Sequence, residues 1–118
     1  MVDIRVEANK RDDFVVVVRG ELDWASSAQL RAAITALLNR GGVCVIGLDL
    51  SGVDLLDSVG VGTIVVASRI CRQVGVQMRV IAASPHVAQV LRLTGVEEAL
   101  PVPMGADVTM GRQLDGSG

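Results

Sequence analysis

Three groups of residues could carry chemistry in this chain: GVGTIV (60–65), the pair Asp57-Ser58 with Asp54 just upstream, and the lone histidine His86. The first suggests phosphate binding, because G-x-G between a strand and a helix opens a dinucleotide loop. The match fails after the second glycine. Val65 stands where Gly or Ala belongs, and the acidic residue expected about twenty positions later is missing. No G-x-x-x-x-G-K-[ST] occurs, and the single lysine, Lys10, is far away in sequence. Nucleophilic hydrolysis has no better footing. Ser58 is not in G-x-S-x-G, and nothing in the sequence brings it to His86, which follows Ser84-Pro85 where a surface histidine is expected. Asp54 and Asp57 have no further ligands clustered near them for a metal. Cys44 and Cys71 lack any CxxC or Cys/His spacing and sit in apolar runs, so both are expected to be buried and reduced. The expectation is a chain with no catalytic residue, no metal and no cofactor.

What remains is a hydroxyl placed where a helix begins. Asp57 or Ser58 reads first as an N-cap, worth about 1 kcal/mol. Gly60 and Gly62 add a second observation, since glycine in the first turns of a helix costs about 1 kcal/mol each against alanine. Such glycines point to a close approach by another backbone or by a partner. SGVDLL (51–56) reads as a loop at the carboxyl end of a central strand, where open α/β sheets place their binding sites.

The elements that must position this hydroxyl follow from periodicity. VDIRVEA (2–8) alternates as a half-buried strand, NKRDD interrupts, and FVVVVRG (14–20) is a more buried strand, so the two predict a hairpin. Leu30, Ile34, Leu37 and Leu38 fall at helical spacing before Gly41, and Ser26 with Gln29 fits a capping box. VCVIGLDL (43–50) reads as a central strand covered on both faces. VGVGTIVVASRICRQ predicts a helix ending before Gly75, and VQMRVIAA (76–83) a further strand. Ser84-Pro85 opens a short helix that stops at Thr94-Gly95, and ALPVP (99–103) closes the pattern as a last short strand. The fold class is α/β: one domain with a mixed, mostly parallel sheet of four to five strands, an N-terminal hairpin and helices after the inner strands. The tail 104–118 is Gly-rich and expected to be weakly helical or disordered.

With 118 residues the chain has the size of one domain with one core, and that core is aliphatic, with one Phe, one Trp and no Tyr. Net charge is −2 with both signs interleaved, which excludes a basic stripe for nucleic acid. MVDIRVEANKRDD has no apolar core of an export signal, and no run approaches the roughly 18 apolar residues of a membrane span. A cytoplasmic protein without a membrane partner is expected.

GELD (20–23) followed by Ser26 and a helix, then the run D-L-S-x-V-x-x-x-D-S-x-G (49–60), then LRLTGVEEALPV, resembles the STAS domain family, specifically its stand-alone anti-sigma factor antagonists. The resemblance covers residues 3–103. It implies a cycle in which an anti-sigma factor serine kinase phosphorylates the serine of D-S-x-G, here Ser58, and a metal-dependent serine phosphatase restores it. The unmodified form would bind the kinase and release a sigma factor. Val59 replaces the second hydroxyl residue frequent in the family, which leaves Ser58 as the acceptor. Phosphate on Ser58 adds about −1.5 to −2 charges at a helix N-terminus, where the dipole favours an anion, so the domain should tolerate it. A partner would instead meet that charge added to Asp54 and Asp57, and docking should weaken. The expected partner surface comprises Asp23, Trp24, Ser26, Asp54, Asp57, Val59 and Gly60. Trp24 reads equally as an interface anchor or as a cover for the helix–sheet seam. The alternative reading is a constitutive scaffold, in a stressosome or a lipid or anion transport complex, with Asp57-Ser58 only a helix cap.

Overall fold

The computed structural model describes residues 2–95. Seven elements follow in order: β1 (Val2–Ala8), β2 (Asp13–Leu22), α1 (Ser27–Arg40), β3 (Val45–Leu56), α2 (Ser58–Gln73), β4 (Gln77–Ala83) and α3 (Pro85–Leu93). The expected strand at 99–103 and the tail from 104 lie outside the described residues. The four strands form one sheet in the order β1-β2-β3-β4, with β1 antiparallel to β2 and the other pairs parallel. This is the mixed, mostly parallel α/β sheet with its N-terminal hairpin that the alternation of strand and helix patterns predicts.

Parallel register lines up the core. Phe14, Ile46 and Met78 pair across β2, β3 and β4, as do Val16, Leu48 and Val80, and all six are buried. Helix residues Leu30, Ile34, Ile64, Ala67, Val87 and Leu91 join the same cluster. Of the residues of opposite parity, Gly47 is buried, whereas Val15, Val45, Asp49 and Ile81 are half-buried or exposed. The expectation that the central strand is covered on both faces is therefore corrected in part: the buried apolar side chains share one face of the sheet, and the other face of β3 is only partly covered, at Gly47. On the other face, Ile81 leans over Gly47, where a Cβ would stand 3.0 Å from its Cγ2.

A second correction concerns SGVDLL. It is not a loop but the continuation of β3, which pairs with β2 as far as Leu22 opposite Leu56. Ser51-Gly52 looks like a turn, yet Gly52 lies opposite Arg19 in the ladder, and a Cβ there would come within 2.8 Å of Arg19 Cγ. The glycine admits a neighbouring side chain inside the sheet. Irregularities between Val17 and Arg19 and between Gly20 and Glu21 adjust the pairing, and Val53 and Leu56 stay buried.

The cysteines divide. Cys71 is buried, as expected, and burial raises its thiol pKa. Cys44 is exposed, because it precedes β3 at a point where its amide bonds the Asp12 carbonyl at the sheet's end. A hydrogen bond to the Asp12 side chain and that carboxylate's charge push its thiol pKa up, which disfavours the thiolate. No helix among the described residues is long and apolar enough to cross a membrane.

Candidate functional site

Because β2 and β3 run parallel and end side by side, the segments that follow them emerge on one rim. After β3 a single residue, Asp57, turns the chain into α2. Its extended backbone lets the side chain fold over the helix start: Oδ1 accepts from the Gly60 amide at 2.8 Å. The other carboxylate oxygen accepts from the Trp24 amide at 3.2 Å, and the Asp57 amide donates to the Leu22 carbonyl at 3.3 Å. One carboxylate thus caps α2 and clips it to the turn after β2.

A helix leaves its first four amides without an intrahelical carbonyl. Here Asp57 and Gly60 have found partners, and Val61 makes the first helical bond, to the Asp57 carbonyl at 3.0 Å. That leaves the amides of Ser58 and Val59 at the positive end of the helix dipole. Ser58 is the first residue of α2 and is exposed, as is Val59. The arrangement is an accessible hydroxyl in a setting that accommodates an anion. Among the described residues no three His, Cys, Asp or Glu side chains are grouped to hold a metal ion. His86 is exposed on α3.

The turn between β2 and α1 is held by its own side chains. Asp23 Oδ1 accepts from the Ala25 and Ser26 amides, both at 3.1 Å. Ser26 Oγ lies 2.6 Å from the Glu21 carbonyl and 3.0 Å from Asp23 Oδ1, and it accepts from the Asp23 amide at 3.0 Å. The Ser26 hydroxyl above all holds the Asp23 carboxyl below its usual range; desolvation opposes it, and the amides of Ser26 and Ala25 add to the lowering. The expected capping box is corrected. Ser26 has helical backbone angles and makes no side-chain cap to α1, because its hydroxyl is committed to the preceding turn.

The structure sorts the expected partner surface into two groups. Ser58, Val59 and Trp24 are exposed on the rim, Trp24 to 75 %, so the indole does not cover the helix–sheet seam. Asp54 is exposed on β3 itself rather than in a loop. Ser26 and Gly60 are buried, and Asp23 and Asp57 are half-buried with their carboxylates bonded to backbone amides. These four build the rim instead of presenting side chains from it. A Cβ on Gly60 would stand 2.4 Å from the Leu22 carbonyl oxygen, so this glycine is required by the fold. A feature not legible in the sequence lies next to Ser58: a groove between α1 and α2 of about 300 Å³, lined by Arg31, Val59, Gly62, Thr63 and Val66. Its only trace in the sequence is apolar residues at Val59 and Val66, seven apart on one side of α2.

The STAS domain family matches residues 4–109. An anti-sigma F factor antagonist of Lysinibacillus sphaericus is 30% identical over 92 residues, covering 78% of this chain and 79% of that protein. The solved structure of the anti-sigma factor antagonist SpoIIAA in its unphosphorylated form superposes with a TM-score of 0.71 at 26% identity, covering 83% of this chain and 85% of the other. The Bacillus cell fate determinant SpoIIAA in its phosphorylated form gives a TM-score of 0.66 at 26% identity, covering 83% and 88%. The sheet order, the D-S-x-G helix start and a family match over most of the chain together place this protein in the STAS domain family.

Proposed function

We propose that this chain is an anti-sigma factor antagonist that works by partner switching. Unphosphorylated, it binds an anti-sigma factor serine kinase and frees a sigma factor; phosphorylation at Ser58 switches it off, and a metal-dependent serine phosphatase reverses the mark. The observation that carries the reading is the exposed Ser58 hydroxyl at the first position of α2, with the neighbouring Asp57 carboxylate already bonded to Gly60 and Trp24. A relative of this fold is known in both an unphosphorylated and a phosphorylated form. The chain acts as substrate and binding partner, not as an enzyme, and works in the cytoplasm.

The switch follows from charge. The dipole and the free amides of Ser58 and Val59 accept a phosphate with little strain on the domain. A kinase surface fitted to a neutral hydroxyl among Val59, Trp24 and Asp54 would meet about two added negative charges and lose affinity. Incubation with ATP and an anti-sigma factor serine kinase should raise the intact mass by one phosphoryl group in the wild type and leave Ser58→Ala unchanged. Phosphate appearing on another residue would remove the site from Ser58.

A further inference from the structure

The two glycines at the start of α2 have different reasons. Gly60 is pressed against the Leu22 carbonyl, whereas a Cβ built on Gly62 meets nothing within 4 Å. Gly62 has ordinary helical backbone and is exposed. Alanine would therefore fit there and favour the helix. Gly62 lines the groove between α1 and α2, and a methyl there would take up open space beside it. Val59 and Val66 flank it with 46% and 48% of their surface exposed. Arg31 stands on its α1 side, exposed and without an ion pair to any described residue.

We propose that this groove is a docking point for the kinase, taking an apolar side chain of that partner over Gly62 beside an acidic one that pairs with Arg31. The proposal rests on the antagonist reading. Two observations select the occupant. Val59 lines the groove and directly follows Ser58, so an enzyme that reaches the Ser58 hydroxyl covers the mouth of the groove as well. Arg31 is the one charged residue lining it, which fits a partner residue of negative charge. A seat without a methyl group lets the partner's side chain approach the helix backbone closely, the geometry in which one buried anchor contributes most.

The test uses the full chain and the purified kinase that phosphorylates it, with ADP bound. Gly62→Ala should raise the urea midpoint of the isolated protein and yet weaken kinase binding by about tenfold. Gly62→Leu, which fills the groove, should abolish measurable binding. Arg31→Glu should weaken binding strongly at low salt and less at high salt. Wild-type affinity in both Gly62 variants would overturn the docking point while leaving Ser58 phosphorylation intact. A lowered urea midpoint in Gly62→Ala would overturn it too, by giving the glycine an internal role. Failure of every anti-sigma factor serine kinase to phosphorylate the wild type would overturn the antagonist reading and the docking point with it.

Discussion

At the scale of single residues the site depends on Asp57 more than on any group exposed to a partner. Its carboxylate makes two hydrogen bonds to amides of different segments, so it holds the Ser58 backbone and the Trp24 turn in fixed relation. Asp57→Ala removes both bonds and should destabilise the fold by about 1–2 kcal/mol, read from the urea midpoint. Ser58→Asp places a carboxylate at the same helix end without removing a bond, and its effect should stay within about 0.5 kcal/mol. The reverse ranking would mean that the hydroxyl, not Asp57, holds the rim together. The role of Asp57 was half legible in the sequence. Its capping position is local and follows from residue type, but the bond to Trp24 spans 33 positions and depends on two strands ending together. Ser26 was misread for a similar reason: the capping box is a local pattern, and the Glu21 carbonyl competes for the same hydroxyl.

At the scale of elements, the rim exists because β2 and β3 are parallel and end opposite each other, with α2 starting one residue later. Gly60 is what permits that tight entry. Gly60→Ala would drive a methyl into the Leu22 carbonyl, which cannot move without shifting a strand end, and against the end of the Leu56 side chain. A loss of more than about 2 kcal/mol is expected by urea denaturation, and a near-neutral result would show that β2 and α2 can separate at little cost. The hairpin, the helix before Gly41 and the Ser84-Pro85 helix start were legible, because alternation, terminal glycine and the N-cap with following proline are local signals. The end of β3 was not. Ser51-Gly52 has the composition of a turn, and only the Arg19 side chain lying over Gly52 in the register explains a glycine inside a strand. The open face of the sheet was hidden too, since Val15, Val45 and Ile81 are as apolar as the core residues they alternate with.

At the scale of the whole molecule, one sheet face carries an aliphatic core, and the carboxyl ends of its central strands carry a preformed rim. Nothing in this arrangement requires the fold to change when Ser58 is modified. On the proposed reading switching belongs to the surface: a phosphate at the helix end would alter what the partner meets, not how the domain is built. The most direct test is displacement of a sigma factor from its anti-sigma factor kinase, measured with the unmodified protein and with the same protein carrying phosphate on Ser58. The unmodified protein should release the sigma factor in a concentration-dependent way, and the phosphorylated protein should fail to do so while keeping its far-ultraviolet circular dichroism and urea midpoint. Equal release by the two forms would contradict the account.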